Sequence, residues 1–191
     1  MADLNGGIIG KENTVTQAVD GVDAVTEEIT TFNSSGTFTA NPTTSQVQYI
    51  IIAGGGGGGG SGFDAGGGAG GYRSSVPGEA SGGGASAESL SPVTGGNSYP
   101  VVIGGGGAGG HNPGDPGSAG TRGSVSSFNS ISSTGGGGGG WSGPSNPSYH
   151  QAPDGPTFRN GGSGGGTARI SPDYGSPNSN TGNATSGQGY D

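Results

Sequence analysis

The stretch "VQYIIIAGGGGGGGSGFD", residues 47–64, is a β-branched apolar run that passes directly into seven consecutive glycines. A strand followed by a glycine-rich turn is also how a dinucleotide-binding site begins, because there the turn opens a helix whose first N–H groups hold a phosphate. In residues 61–71 glycine recurs every few positions, and each glycine costs a helix up to about 1 kcal/mol relative to alanine. No helix can begin there, so the stretch predicts a strand that leads into extended glycine chain and not a phosphate site.

The composition excludes a large conventional core. Glycine supplies 51 of the 191 residues, and only 26% of the chain is hydrophobic, which is too little apolar surface to order a domain of this length alone. A flexible linker would intersperse serine among the glycines. Here the major glycine blocks follow the apolar runs "YIIIA" and "YPVVI", and this regular placement favours order.

Charge, cysteine content and hydropathy exclude several functional classes. The net charge is −8, so nucleic acid would be repelled. The chain has no cysteine, which excludes disulfides and thiolate metal sites. The longest apolar stretch, residues 49–53, is too short to span a bilayer, and the first 15 residues lack the apolar region of a secretory signal. We expect a protein made in a cytoplasm, with no nucleic-acid partner and no membrane insertion.

Residues 1–30 are predicted to form an attachment or trimerisation segment, with a solvated tail as the alternative. Within it Val15, Val19, Val22 and Ile29 follow the spacing of a short amphipathic helix. Gly21 and the β-branched residues favour extended chain instead, and the sequence leaves the two alternatives balanced.

Residues 31–134 alternate strand signals with glycine. Apolar or β-branched runs at 30–40, 46–53, 85–93, 98–104 and 124–132 are separated by turn sequences such as "NSSG" and "TGGN". Short strands at this spacing predict a mostly β fold, a small antiparallel β-sandwich with little helix. Three consecutive isoleucines predict a strand that is buried on both faces. The predicted apolar face consists of Phe32, Phe38, Val47, Tyr49, Ile51, Leu90, Val101, Ile103, Phe128 and Ile131.

The glycine blocks predict a second kind of packing. Polyglycine adopts an extended threefold helix, like polyproline II, with a rise of about 3.1 Å per residue, so seven glycines would span about 22 Å. Without side chains such helices can approach closely, and each N–H can find a carbonyl on a neighbouring helix. Ordering glycine is entropically costly, so many helices must pack together or subunits must associate. We expect packed polyglycine II helices within a homotrimer.

The motifs "FNSSGTFTANPTTSQVQYIIIAGGGGGGG", "AGGYRSS", "SPVTGGNSYPVVIGGGGAGG" and "GSVSSFNSISSTGGGGGG" occur in this order between residues 31 and 140. In this order they resemble the glycine-rich domain of bacteriophage tail-fibre and receptor-binding proteins. The start, "GGIIGKENTVTQ", is similar to N-terminal segments of phage virion proteins that dock onto a larger assembly. The resemblance implies a virion protein in which packed polyglycine helices present loops to the host surface, a glycan or an outer-membrane protein. Residues 1–30 would then contact other fibre, neck or capsid proteins.

The resemblance places receptor binding in loops between glycine blocks. The richest loop, within residues 135–191, runs from 141 to 160, and its prolines would limit the entropy lost on binding. Trp, Tyr and Arg are the usual anchors of recognition surfaces, although Trp141 and Phe158 could instead cap the glycine bundle. The candidate receptor-binding residues are Trp141, Tyr149, His150, Phe158 and Arg159, with Phe63, Asp64 and His111 as smaller candidates. By composition, the chain beyond residue 161 is predicted to be weakly ordered, unless Tyr174 and Tyr190 dock onto a neighbour.

The sequence indicates no catalytic chemistry. Neither His111 nor His150 has a carboxylate or serine arrangement that would mark it as a base, and no loop has the alternating carboxylates of a calcium site. We therefore expect no enzyme activity, no cofactor and no metal. Three functions stay open: an adhesin at a fibre tip, a structural head, neck or capsid-decorating fibre protein, and an ice-binding protein. The last is weakest, since the strict Gly-x-x period and flat threonine face it needs are lacking.

Overall fold

The computed structural model describes residues 15–19, 22–60, 65–111, 118–140, 157, 159–166 and 182–191. The chain divides into two compact units, Met1–Ser34 and Ser35–Asp191. In the first unit, strands β1 (Val15–Val19) and β2 (Val22–Glu27) pair antiparallel, with an irregularity between Gln17 and Val19. Of the two alternatives for this segment the structure has the extended one, in keeping with its β-branched residues.

Within the described residues, the second unit contains three antiparallel sheets. Its strands are β3 (Gly36–Thr39), β4 (Gln46–Val47), β5 (Ile50–Ile52), β6 (Tyr72–Ser74), β7 (Ser91–Pro92), β8 (Ser98–Val102), β9 (Ser126–Phe128) and β10 (Ile131–Ser133). The largest sheet has the strand order β10-β9-β8-β3, and the other two are the pairs β4–β7 and β5–β6. The prediction of a mostly β fold with antiparallel sheets is confirmed. A 3-10 turn lies at Gly82–Gly84, between β6 and β7.

Local sequence sets the turns between these strands. Asn129 and Ser130 connect β9 to β10 and have φ angles of 43° and 69°. Positive φ at both central residues is the signature of the type I′ turn, whose twist matches that of a hairpin. The predicted turn before β8 is also present: the amide of Asn97 donates to the carbonyl of Thr94 at 3.0 Å, and Gly96 has a φ of 80°.

The apolar core is small. Tyr49, Ile51, Val101 and Phe128 are buried, each less than 10% exposed, and the rings of Phe38 and Tyr99 contact the Phe128 ring edge-on at centroid distances of 5.6 and 6.2 Å. The remaining members of the predicted face are half-buried: Phe32, Phe38, Val47, Leu90, Ile103 and Ile131.

The prediction that the isoleucine run is buried on both faces is wrong. Ile51 is 7% exposed, but Ile50 and Ile52 are 49% and 60% exposed. Strand β5 pairs with β6 in a two-stranded sheet and contacts β9 and β10, and only one of its faces is covered. Successive side chains of a strand point to opposite faces, so the outer two isoleucines face solvent.

Several serine side chains are also buried. The largest fully buried side chains are Ser74, Ser91, Ser126 and Ser133. Their hydroxyls are hydrogen-bonded, as burial requires: Ser133 donates to the carbonyl of Gly71 at 2.6 Å, and Ser126 accepts from the amide of Gly104 at 2.9 Å. These two bonds join the ends of the strands to the glycine blocks.

Six glycine-rich segments pack side by side beyond the strands, and we call them the glycine lattice: 54–60, 65–71, 104–110, 118–124, 135–140 and 161–166. Their backbone hydrogen bonds recur at every third residue. In one example, Gly54, Gly57 and Gly60 donate to the carbonyls of Ser124, Thr121 and Ser118 at 3.1, 2.9 and 3.0 Å. A three-residue period is the repeat that a threefold extended helix requires. The polyglycine II conformation and the trimer themselves stay predictions.

The hydrogen bonds place the six segments in two rows of three. One row holds 65–71, 54–60 and 104–110, and the other holds 161–166, 135–140 and 118–124; each segment also bonds to the facing row. Both directions occur, since 135–140 runs parallel to 54–60 and 118–124 runs antiparallel to it. The backbone of each segment is thus satisfied by several neighbours without a side-chain core.

The rows are close enough that side chains are excluded from most faces. A methyl group added at Gly56 would lie 2.0 Å from the carbonyl oxygen of Gly137, and one added at Gly57 would lie 2.0 Å from that of Ala108. At Gly55 and Gly58 the nearest atom would be 3.7 and 3.6 Å away, an ordinary contact. Two of the three faces of segment 54–60 therefore require glycine and the third does not.

The last described residues are held against the lattice. The amide of Gly164 donates to the carbonyl of Tyr190 at 3.0 Å, and the amide of Tyr72 donates to that of Gln188 at 3.0 Å. The Gln188 side-chain oxygen accepts from the amide of Thr134 at 2.7 Å. The weak order predicted beyond residue 161 stays a prediction; residues 161–166 and 182–191 make the contacts described above. Backbone hydrogen bonds hold them, which composition does not reveal.

Candidate functional site

One end of the glycine lattice gathers the points at which the chain leaves it, and we call this the loop end. Gly60 forms a bridge with Ser118, and the amide of Ala65 donates to the carbonyl of Gly140 at 3.2 Å. The amide of Gly140 in turn donates to the carbonyl of Gly166 at 3.0 Å. These residues are neighbours although they are far apart in sequence.

Four stretches of the chain start at the loop end. Residues 61–64, 112–117, 141–156 and 167–181 each begin immediately after a residue at this end or one position further along. The first two also finish here, at Ala65 and Ser118. The opposite ends of segments 54–60, 65–71, 104–110, 118–124 and 135–140 lead to strands, so these five segments separate the β-sheets from the loop end.

His111 lies at the loop end. It is exposed, and its backbone amide donates to the Ser118 hydroxyl at 2.9 Å, while the preceding Gly110 amide donates to the carbonyl of Gly58 at 2.7 Å. Because the histidine is held through its backbone, its side chain is available at the surface. This placement fits the candidate role predicted for His111.

Arg159 is less accessible than His111. It is half-buried, and its carbonyl accepts from the amide of Gly165 at 2.7 Å. A methyl group at Gly137 would lie 1.8 Å from that carbonyl oxygen, so the Arg159 backbone covers one face of segment 135–140. Burial lowers the pKa of its guanidinium. The other candidates, Trp141, Tyr149, His150, Phe158, Phe63 and Asp64, lie outside the described residues.

Sequence reasoning missed a polar cluster around Glu88 on the β-sheet side of the molecule. Its Oε2 accepts from the Tyr49 hydroxyl at 2.7 Å and from Nη2 of Arg73 at 2.5 Å, and its Oε1 accepts from Nε of Arg73 at 2.7 Å and from the Ser81 hydroxyl at 3.4 Å. Arg73 also donates to the carbonyl of Ser132 at 2.9 Å. A neighbouring pair consists of Tyr72 and Glu79. The cluster links β5, β6 and β10 to the segment between β6 and β7.

The cluster shifts the pKa values of its members. The hydrogen bond from Arg73 holds the pKa of the Glu88 carboxyl below its usual range, against the opposing effect of burial. Burial raises the pKa of Tyr49 to about 12, and the hydrogen bond to Glu88 acts in the same direction. Both carboxylate oxygens of Glu88 are occupied by donors of the chain itself, so the cluster fastens the strands together. In the sequence, only Arg73 in "YRSS" and Glu88 in "ASAES" could have indicated the cluster. That these two charges pair is visible only in the fold.

Within the described ranges, no group of three histidine, cysteine, aspartate or glutamate side chains is placed to hold a metal ion. In the same ranges, no helix has the length and apolarity needed to cross a bilayer.

Residues 30–191 match the model of a family described as a glycine-rich domain. The chain belongs to this glycine-rich domain family. The match takes in the second compact unit, with its sheets and the lattice, and begins just before that unit does. No curated protein and no solved structure matches this chain.

Proposed function

We propose that this chain is a non-enzymatic bacteriophage virion protein, an adhesin at a tail-fibre tip that binds the host cell surface through loops at the loop end. The observation that carries the proposal is that four stretches of the chain start at one end of a hydrogen-bonded lattice. Binding residues are commonly found on loops that a rigid scaffold positions. The resemblance of residues 31–140 to tail-fibre glycine-rich domains supports the same assignment.

The lattice suits this role physically. Its segments are fixed by backbone hydrogen bonds at every third residue, and segment 135–140 is buried along its whole length. Loops anchored on such a scaffold lose less conformational freedom on binding. Aromatic side chains of residues 141–160 could then stack on sugars or fill pockets of an outer-membrane protein.

Adsorption to host cells tests the adhesin proposal. Purified protein should compete with phage for adsorption, and the double variant Trp141→Ala and Tyr149→Ala should lose this competition at unchanged thermal stability. His111→Ala should weaken the competition partially, because it removes an exposed side chain at the loop end. The fold should be kept, because the bond from His111 to Ser118 is made by the backbone amide. Ile52→Ala, an exposed apolar position on β5, serves as the matched control and should compete like the parent chain. Full competition by the double variant would contradict the proposal.

A structural head, neck or capsid fibre protein is the second candidate. It is favoured by the separate N-terminal unit, Met1–Ser34, which suits attachment to other virion proteins and threefold assembly of the fibre. Gold labelling of intact particles with an antibody against residues 141–160 distinguishes the two. Label at fibre tips supports the adhesin, label on the head or collar supports the structural protein, and label on no particle contradicts both.

A further inference from the structure

The hydrogen bonding between the two stretches around β9 and β10 is interrupted at one point. The two strands pair as far as Ser126 and Ser133. Three residues further on, within the lattice, the amide of Gly123 donates to the carbonyl of Gly136 at 2.9 Å, which continues the same register. Among the described residues, no hydrogen bond joins the positions between these two pairs. The two stretches therefore leave a gap where the sheet meets the lattice.

Thr134, on one side of the gap, has its backbone groups bonded elsewhere. The register of β9 and β10 would place it opposite Val125. The C-terminal residues hold an edge of the lattice, and the Thr134 amide donates to the side-chain oxygen of Gln188 at 2.7 Å. The Thr134 carbonyl accepts from the amide of Gly71 at 2.8 Å. Val125 is 47% exposed, and in the described part of the chain its N–H has no hydrogen-bond partner, so it offers a donor at the gap.

The gap opens into a surface cleft with a volume of about 570 Å³, a size that is common for small-molecule sites. We call it the Arg122 cleft, and it is lined by Arg122, Gly123, Ser124, Val125, Thr134 and Gly135. Within the described ranges, the hydroxyls of Ser124 and Thr134 make no hydrogen bond. Two hydroxyls, a backbone N–H and an exposed apolar side chain thus surround one opening.

Arg122 supplies the charge of the cleft. Of the other arginines in the described ranges, Arg73 is paired with Glu88, and Arg159 is half-buried against segment 135–140. The Arg122 side chain takes part in no ion pair or hydrogen bond with any described residue, although the chain has 13 acidic residues and a net charge of −8. Its guanidinium is therefore available to an anion from outside the chain.

The groups around the cleft match a sugar acid. A guanidinium binds a carboxylate through two parallel hydrogen bonds, and the N–H of Val125 is a further donor beside it. The hydroxyls of Ser124 and Thr134 can both donate and accept, as the hydroxyls of a sugar ring do, and the Val125 methyl groups can cover the C–H face of the ring. An acidic side chain of a peptide would use the guanidinium and leave the two hydroxyls unmatched.

We propose that the Arg122 cleft binds a uronic acid, the carboxylate-bearing sugar of acidic polysaccharides, with the carboxylate on Arg122 and the ring hydroxyls on Ser124 and Thr134. The cleft lies at the end of the lattice that leads to the strands, away from the loop end. The inference therefore does not rest on the proposed adhesin function, and either can fail without the other.

Titration of the isotope-labelled full chain with D-glucuronate at constant ionic strength, followed by NMR, tests the proposal. The amide signals of residues 122–125 should shift saturably. D-glucose, which lacks the carboxylate, and acetate, which lacks the ring, should each bind about tenfold more weakly or less. Arg122→Gln should weaken D-glucuronate binding by about tenfold or more, because it removes charged hydrogen bonds, and Ser124→Ala by about threefold. The melting temperature should stay unchanged, since neither side chain bonds a described residue.

Lys11→Gln is the matched control, because it removes the same charge from the other compact unit, and it should bind D-glucuronate like the parent chain. A parent chain without saturable shifts at residues 122–125 would overturn the proposal. So would shifts that Arg122→Gln leaves unchanged, or that Lys11→Gln abolishes equally. If acetate or triglutamate binds as tightly as D-glucuronate, the cleft takes carboxylates in general, and the assignment to a sugar acid is wrong.

Discussion

Adjacent glycines in segment 54–60 should respond to alanine in opposite directions. At Gly56, the added methyl group would lie 2.0 Å from the carbonyl oxygen of Gly137, and contacts below 3.4 Å are tighter than nine in ten real ones. The carbonyl would have to withdraw from 2.0 to 3.4 Å, a shift of 1.4 Å. Segment 135–140 is buried throughout, so it cannot move away without disturbing its other neighbours.

The cost can be worked from the bonds between the two segments. The amides of Gly136 and Gly139 donate to Gly54 and Gly57, both at 2.8 Å, and a shift of this size would break both bonds. Each lost bond costs about 1 kcal/mol, and each buried group left without a partner adds about 1 to 3 kcal/mol. Gly56→Ala should therefore lower the free energy of unfolding by about 3 kcal/mol or more, a large part of the usual total of about 5 to 15 kcal/mol.

Gly55→Ala is the matched control. Its methyl group would lie 3.7 Å from the nearest atom, the carbonyl oxygen of Gly68. Replacing glycine where the backbone tolerates alanine stabilises a protein by about 0.4 to 1 kcal/mol, because the unfolded chain loses freedom. Urea denaturation followed by circular dichroism measures both variants. Equal destabilisation by the two substitutions would refute the packing of the lattice rows.

Three further predictions concern the Glu88 cluster and the C-terminal residues. The folded-state pKa of Glu88 is lowered, so its contribution to stability is present above its unfolded pKa and is lost as the pH falls through the folded one; Glu88→Gln should flatten the acid side of a plot of melting temperature against pH. For Tyr49 the folded pKa is about 12, raised from 10.0, so its contribution is complete below pH 10 and is lost between about pH 10 and 12. Burial also raises the pKa of Tyr72 to about 12, so absorbance titration at alkaline pH should show two late-ionising tyrosines; Tyr49→Phe should remove one of them, and an unchanged late amplitude would contradict this assignment. Gln188→Ala removes the acceptor of the Thr134 amide and should cost about 1 to 3 kcal/mol, with faster hydrogen exchange at Thr134; unchanged exchange there would show that the side chain does not hold this edge.

Much of the β-sheet architecture can be read from local patterns. Alternation along residues 49–53 places Tyr49, Ile51 and Ala53 inside, and "FNSI" contains the turn of a hairpin. The prediction for Ile50 and Ile52 was wrong for a physical reason. An apolar run does not show whether a second layer of structure covers the outer face of its strand. The Glu88 cluster was not predictable for a similar reason. Tyr49 and Arg73 are brought together by the pairing of β5 with β6, and Glu88 reaches them because its amide donates to the carbonyl of Ser74 at 2.7 Å.

For the candidate site, too, the sequence predicted only a part. Sequence motifs selected His111 and the aromatic stretch after Gly140 as candidates, but they could not indicate that the chain leaves the lattice at one common end. That common end depends on hydrogen bonds such as Ala65 to Gly140, between residues 75 positions apart in the sequence. Likewise, no local pattern shows that the carbonyl of Arg159 covers a face of segment 135–140.

The sequence by itself determined that this protein has short antiparallel strands, a small apolar core and glycine blocks that begin where strands end. These features follow from side-chain chemistry and its two-residue repeat, which are local properties. Only the tertiary structure decided which glycines are indispensable. Gly55 and Gly56 are the same residue in the same run, yet one has room for a side chain and the other meets a carbonyl 81 positions further along the chain, at Gly137. A glycine has no side chain through which the sequence could express its surroundings, so its role is set entirely by the segments that pack around it.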